Sequence, residues 1–375
     1  MNLIYIIQKF LYAKWKFKIH KKPILLYDGT GNSPKNLSKI ISQKKFNIFY
    51  NRGEEINLTI LFISILKNGF LNLKKNYKLE YIKQIRPKIL ITFVDTNLGF
   101  FNLKKEFPEK IFIAIQSGIK GKDILNILRH EKKKRLKIDY YFVFSNHYAE
   151  ILKKKINAKF YICGSSKANI LSFKNTKKKD LIFISKQTND HKFPIPYHEF
   201  KILNILGKFC KKNKICLDII LKHDLRESYS NFLVKKKIFF SNVYYSNVPN
   251  SAYKICKDYK LIVNSDSTLG YEMLSLKKKV LFICYGSLES QKWHKRYDYP
   301  LKLTTFGYPS FIGQNKGSIW TNILDRKYIE KLLLKNLSLN DLSWRKKNKK
   351  IIKKLIVRDE KNKKLSNLIN SYLNK

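Results

Sequence analysis

Short runs of consecutive apolar residues recur along this chain, and between them the apolar positions return every three to four residues. The runs are Pro23–Tyr27, Phe46–Tyr50, Lys88–Asp95, Lys110–Ile115, Tyr140–Phe144 and Phe160–Cys163, then Leu181–Ile184, Ile215–Leu221, Phe239–Tyr245, Leu261–Val263 and Val280–Ile283. Rich in Ile, Val, Leu and Phe and lacking alternation, they read as strands buried on both faces of a parallel sheet. A helical period shows in Ile56–Leu73, in Phe200–Lys211, after Asn250–Tyr253, from Thr268 onward and again beyond Asp325. Strands alternating with helices in this way predict an α/β fold with parallel sheets.

At 375 residues the chain exceeds one usual domain, so two are expected. The polar, lysine-rich stretch Ser172–Lys179 is the natural connector. The division read from the sequence is a basic amphipathic segment 1–22, an α/β domain 23–172, a second α/β domain 180–325 and lysine-rich helices 326–375. In the first segment Ile4, Ile7, Leu11 and Trp15 follow helical spacing with Lys9, Lys14, Lys16 and Lys18 between them. Such a helix lies on an anionic membrane or packs on its own domain. It lacks an apolar core and small-residue cleavage site, so no signal peptide is read there. No apolar run reaches the roughly 18 residues of a membrane span.

The formal charge of +50 points first to nucleic acid. Lysine is abundant together with Asn, Ile, Phe and Tyr, the residues of AT-rich codons, and it is spread over the whole chain. The inference that survives is a basic surface suited to anionic membranes and phosphorylated substrates, with no specific nucleic acid. Five cysteines without C-x-x-C spacing suit a reducing cytoplasm. Cys163 and Cys284 lie in strand-like apolar runs, as small buried hydrophobes do.

The chemistry concentrates in Leu261-Ile-Val-Asn-Ser-Asp-Ser-Thr-Leu-Gly-Tyr-Glu272, a strand, a polar turn and the start of a helix. Helix starts offer free N–H groups and partial positive charge, and Ser267 and Thr268 add donors, so phosphate is the fitting ligand. Glu272 then reaches a ribose hydroxyl. A plain crossover whose Ser267 caps the helix explains the same residues. Lys222-His223, ending another strand, are placed to stabilise a leaving diphosphate. In the first domain Asp95, Asn97 and Gln116 follow strand ends, where open α/β sheets bind ligands. Asp95 is a candidate base or a turn cap. Gly29-x-Gly31 lacks the third glycine of a dinucleotide loop, because Pro34 stands there. No D-x-D pair that could clamp a metal occurs, so no metal is expected.

Ser265-Asp-Ser-Thr-Leu-Gly-Tyr-Glu272, set between its two apolar strands, resembles the donor-nucleotide motif of GT-B glycosyltransferases. More narrowly, the chain resembles O-antigen and surface-polysaccharide biosynthesis transferases. Thr92-Phe-Val-Asp-Thr-Asn97, Ile115-Gln-Ser-Gly118, Phe144-Ser-Asn146, Cys163-Gly-Ser165 and Phe306-Gly-Tyr-Pro309 with Ile319-Trp320 agree in order. The resemblance implies two Rossmann-like domains facing across a cleft, acceptor side first, and a cytoplasmic enzyme, peripheral at the membrane. It implies sugar transfer from a nucleotide-sugar, needing no cofactor, to a growing glycan or lipid-linked glycan. Lys222, Ser265, Ser267, Thr268 and Glu272 would bind the donor, with Asp95 and His223 catalytic and Asn97 and Gln116 on the acceptor side. The alternatives are a CDP-glycerol-type glycerophosphotransferase of the same fold, a non-catalytic partner and a nucleic-acid-binding protein.

Overall fold

The computed structural model describes residues 11–29, 31–119, 135–173, 178–186, 194–246, 248, 250–265, 267–284 and 315–374. Its contacts gather into two units. One takes the described residues up to Ser117, those from Arg135 to Ile170 and those from Asp359 onward; the other takes Gly118, Ile119 and those from Leu171 to Arg358. The motif Phe306-Gly-Tyr-Pro309 lies outside the described residues.

In the first unit, β1 (Lys14–Lys16) is followed by β2 (Ile24–Tyr27), α1 (Ser33–Ser38), β3 (Phe46–Phe49), β4 (Glu55–Asn57), α2 (Leu58–Asn68) and α3 (Leu73–Ile85). Then come β5 (Ile89–Thr92), α4 (Leu98–Glu106), β6 (Ile111–Ile115), β7 (Leu136–Val143), α5 (Asn146–Lys153), β8 (Ile156–Ile162) and α6 (Ser166–Asn169). Six strands form one parallel sheet in the order β3-β2-β5-β6-β7-β8. Its central strands are wholly buried, as their unbroken apolar sequence requires.

Two expectations are corrected here. The helical spacing through Trp15 does not hold, because Trp15 sits in β1 and pairs with Ile56 of β4. Lys16 binds Glu55 at 2.8 Å, so the basic residue is spent on a strand pair; Ile4 and Ile7 lie outside the described residues. The single helix 56–73 is broken as well. Asn57 caps α2 by accepting from the Ile60 N–H at 3.1 Å, and Gly69, at φ 63°, ends it.

The second unit runs through β9 (Lys179–Ile184), α7 (Tyr197–Lys212), β10 (Leu217–Leu221), α8 (Arg226–Lys235), β11 (Asn242–Tyr245), α9 (Ser251–Cys256) and β12 (Tyr259–Asn264). It continues with α10 (Thr268–Ser275), β13 (Val280–Ile283), β14 (Trp320–Thr321), α11 (Arg326–Ser338) and α12 (Asp341–Leu355). Its six-stranded parallel sheet has the order β11-β10-β9-β12-β13-β14, which is 3-2-1-4-5-6 counted within the unit, the Rossmann order. α7 and α11 bury Leu203, Leu206, Ile329, Leu332 and Leu333 against it.

The lysine-rich end is not one segment of its own. α11 and α12 belong to the second unit, and α13 (Lys363–Leu373) packs Leu365 and Ile369 into the core of the first. A lysine from before β13 closes α11. Lys279 Nζ donates to the carbonyls of Asn336 at 2.8 Å and Leu339 at 2.6 Å, closing the end of α11. Burial lowers its pKa.

Candidate functional site

In a sheet ordered 3-2-1-4-5-6 the strand order reverses between the first and fourth strands, and ligands bind beyond their carboxyl ends. In the second unit those strands are β9 and β12. The segment leaving β12 is Asn264-Ser265, followed by Ser267 and α10, so the singled-out motif stands at the switch point.

Its geometry is tight. Asn264 Nδ2 donates to the Ser267 carbonyl at 3.0 Å, while Asn264 Oδ1 and Ser265 Oγ are buried without a hydrogen-bond partner. Gly270 is required by this packing: a Cβ there would lie 2.3 Å from Asn264 Nδ2. Ser267 caps α10, its hydroxyl accepting from the Leu269 N–H at 3.4 Å. The Thr268 hydroxyl accepts from the Ile119 N–H at 3.2 Å. Both hydroxyls are acceptors in these bonds, and each retains its proton to donate to a further oxygen. Glu272 is 4 % exposed and accepts from the Tyr253 hydroxyl at 2.7 Å. Burial, then the carboxylate, pushes the Tyr253 pKa far up, so this hydroxyl keeps its proton.

The other side of the switch point is held by Glu199 of α7. Its carboxylate accepts from the Ser185 hydroxyl at 2.6 Å and the Lys186 N–H at 2.8 Å, and Tyr229 donates to Ser185 at 3.0 Å. Sequence reasoning missed this trio, because only the fold brings the end of β9 onto α7 and α8. Lys222 and His223 follow β10 in an exposed turn, on the same carboxyl edge. With neighbouring strands about 4.8 Å apart, that turn begins roughly 10 Å from the end of β12. Burial, then the Lys222 charge, lowers the His223 pKa, which favours the neutral imidazole.

The first unit has its own switch point, between β2 and β5. Asp95 and Asn97 both follow β5, but neither presents an unengaged group. Asp95 is 1 % exposed and accepts from the Tyr141 hydroxyl at 2.6 Å and the Ser117 hydroxyl at 3.1 Å. Asn97 caps α4 at the Gly99 N–H, 2.9 Å away. Gln116 is likewise tied inside the sheet, accepting from the Phe144 N–H at 2.8 Å. The residue that stands out is Asp28, at the end of β2. It adopts the left-handed conformation (φ 59°), is 3 % exposed, and has one carboxylate oxygen without a partner. Its other oxygen takes a long 3.4 Å bond from Asn97. Burial raises its pKa against the opposing pull of Arg52 and Asn97. The signal in the sequence was an acidic residue ending a strand before a glycine-rich turn. Nearby lies a cavity of about 410 Å³ lined by Asn32, Ser33, Asn36, Arg52, Ser117 and Lys167 among others, with no carboxylate in its wall among the described residues.

Among the described residues, no three His, Cys, Asp or Glu side chains gather as a metal site. No described helix is long and apolar enough to cross a membrane.

Comparison with known proteins places this architecture. Residues 113–373 match the model of a family described as "putative O-antigen biosynthesis protein". No curated protein sequence matches the chain. Among solved structures, MnaA of S. aureus with UDP superposes at a TM-score of 0.52 and 12% identity, over 94% of this chain and 97% of that one. A putative UDP-N-acetylglucosamine 2-epimerase from Listeria monocytogenes gives 0.54 at 10% identity, over 94% and 96%. The wall teichoic acid polymerase TagF gives 0.51 at 14% identity, over 95% and 90%. Likeness at this identity is likeness of fold. With its two Rossmann-like parallel sheets, the chain has the GT-B glycosyltransferase fold and belongs to the O-antigen biosynthesis family whose model it matches.

Proposed function

We propose that the protein transfers a sugar from a nucleotide-sugar to a growing surface glycan, lipid-linked and met at the inner face of the cytoplasmic membrane. The observation that carries this reading is the unsatisfied polar pair, Asn264 Oδ1 and Ser265 Oγ, at the switch point of the Rossmann-ordered sheet. Buried groups without partners are costly in the empty protein, and a bound nucleotide would supply the partners.

In this reading Ser267 and Thr268 donate to the donor phosphates at the start of α10, and Lys222 adds positive charge. The neutral His223 donates to the diphosphate as it leaves, where its bond strengthens with developing charge. Glu272, set by Tyr253, faces the ribose. No metal or cofactor takes part. On the acceptor side we assign the base to Asp28 rather than Asp95. A base needs an uncommitted oxygen and a pKa raised toward the working pH, and Asp28 has both. The cavity near it, with Arg52 and Lys167 in its wall, suits an acceptor phosphate.

A second reading, epimerisation of a nucleotide-sugar, is favoured by the two neighbours whose names carry it or UDP. Product analysis separates the two: transfer joins sugar to acceptor, whereas epimerisation alters the sugar with no acceptor present. Calorimetric titration of nucleoside diphosphates and nucleosides tests the donor site itself. Replacing both Ser267 and Thr268 with Ala removes two bonds to charged groups, about 1.5–3 kcal/mol each, so diphosphate affinity should fall at least tenfold while nucleoside affinity holds. Ser265→Ala should raise the melting temperature slightly, because it removes an unsatisfied hydroxyl, and should weaken the nucleotide. Diphosphate bound equally well by the folded double variant would show the motif to be only a capped crossover.

A further inference from the structure

The second unit carries a groove of about 610 Å³ that the transfer reaction does not use. Its apolar lining is Leu274, Leu342, Ile352, Ile356 and Val357. Around these stand Lys277, Arg345, Lys346, Lys349, Lys353 and Arg358, and among the described residues no carboxylate lines the groove. Leu342, Arg345, Lys349, Ile352 and Ile356 recur every three or four residues, so one face of α12 and its end supplies most of the wall. Two details set this face apart from an ordinary solvated helix. Leu342 is 72 % exposed at the rim. Arg345 Nε is buried without a partner, a donor waiting for an acceptor.

We infer that this groove is a docking surface for an anionic phospholipid bilayer, its cations on the headgroup phosphates and its apolar floor against the acyl chains. Charge complementarity selects the occupant. A free nucleotide would satisfy the cations but leave Leu342, Ile352 and Val357 in water, and a neutral apolar partner would leave the lysines and Arg345 without an acceptor. A lipid monolayer offers both layers in the right order, with long Lys and Arg stems lying along the apolar surface and their charges at headgroup level. This deepens the membrane-side part of the proposed function and rests on it.

The test is partition of the full chain onto vesicles of phosphatidylcholine alone or mixed with phosphatidylglycerol, without nucleotide. Arg345→Gln/Lys346→Gln/Lys349→Gln/Lys353→Gln should lose at least tenfold in binding to the anionic vesicles. A control with the same charge change on α7 and α8, Lys208→Gln/Lys211→Gln/Lys212→Gln/Lys235→Gln, should stay within twofold of wild type. Leu342→Asp, at an exposed position where folding is not at risk, should lose binding that persists in high salt. Equal losses in the two quartets would reduce the effect to net charge and overturn the inference. So would unchanged vesicle binding in the groove quartet, or a loss confined to an oligonucleotide probe. Diphosphate affinity of the groove quartet, measured in parallel, should match wild type, so failure here and failure of the donor site are told apart.

Discussion

Gly270→Ala probes how the motif is built. The added methyl would fall 2.3 Å from Asn264 Nδ2, 2.4 Å from Cγ and 2.7 Å from Cβ. Asn264 is fully buried in β12, so it cannot swing into solvent. Either α10 lifts from the sheet or the Asn264 amide leaves its 3.0 Å bond to the Ser267 carbonyl. Overpacking costs about 1–3 kcal/mol and a lost buried hydrogen bond about 0.5–1.5 kcal/mol, together roughly 2–4 kcal/mol. For a unit of this size that is a drop of about 5–12 °C in melting temperature. The decisive assay is a double-mutant cycle with Asn264→Ala, followed by thermal or urea unfolding. Asn264→Ala removes the two shortest contacts but keeps its own Cβ at 2.7 Å, so the double variant should recover part of the loss and be more stable than Gly270→Ala alone by about 1 kcal/mol. It should still bind nucleoside diphosphate poorly, because Asn264 Oδ1 is gone. Strictly additive effects, or a Gly270→Ala protein as stable as wild type, would refute the packing argument and with it the fixed geometry of the helix start.

Two further outcomes follow from buried charge. Asp28 has a folded pKa above its unfolded value, so it is a destabilising carboxylate whose cost appears as pH rises through the folded pKa and is absent below the unfolded one. Asp28→Asn should therefore raise stability at neutral pH, by up to about 1–3 kcal/mol in urea melts, and abolish turnover; retained turnover would return the base to another residue. Lys279→Met keeps the stem but strips the donor from the carbonyls of Asn336 and Leu339, and should cost about 2–4 kcal/mol, read as a lower urea midpoint with unchanged slope.

The sequence by itself determined strands β2, β3 and β5 to β13, the parallel α/β class and the strand–turn–helix form of Leu261–Leu276. These are local properties: an unbroken apolar run is buried on both faces, and Ser267 caps a helix through bonds to its own neighbours. Tertiary structure decided the strand order, which apolar runs do not encode because every one of them suits any interior place in a sheet. Order in turn fixed the chemistry. It brought Tyr141 and Ser117 onto Asp95, engaging the expected base, and left Asp28 of the neighbouring strand with an oxygen to spare. It took Trp15 from a helical pattern into a strand pair, because β1 had a parallel partner 41 residues away at Ile56. It also divided the lysine-rich end, keeping α11 and α12 in the second unit, where Lys279 is buried against α11, and sending α13 to the other sheet. Local pattern reports what a segment is; hydrogen bonds between distant segments, which depend on closing the chain into one arrangement, report what its side chains are left able to do.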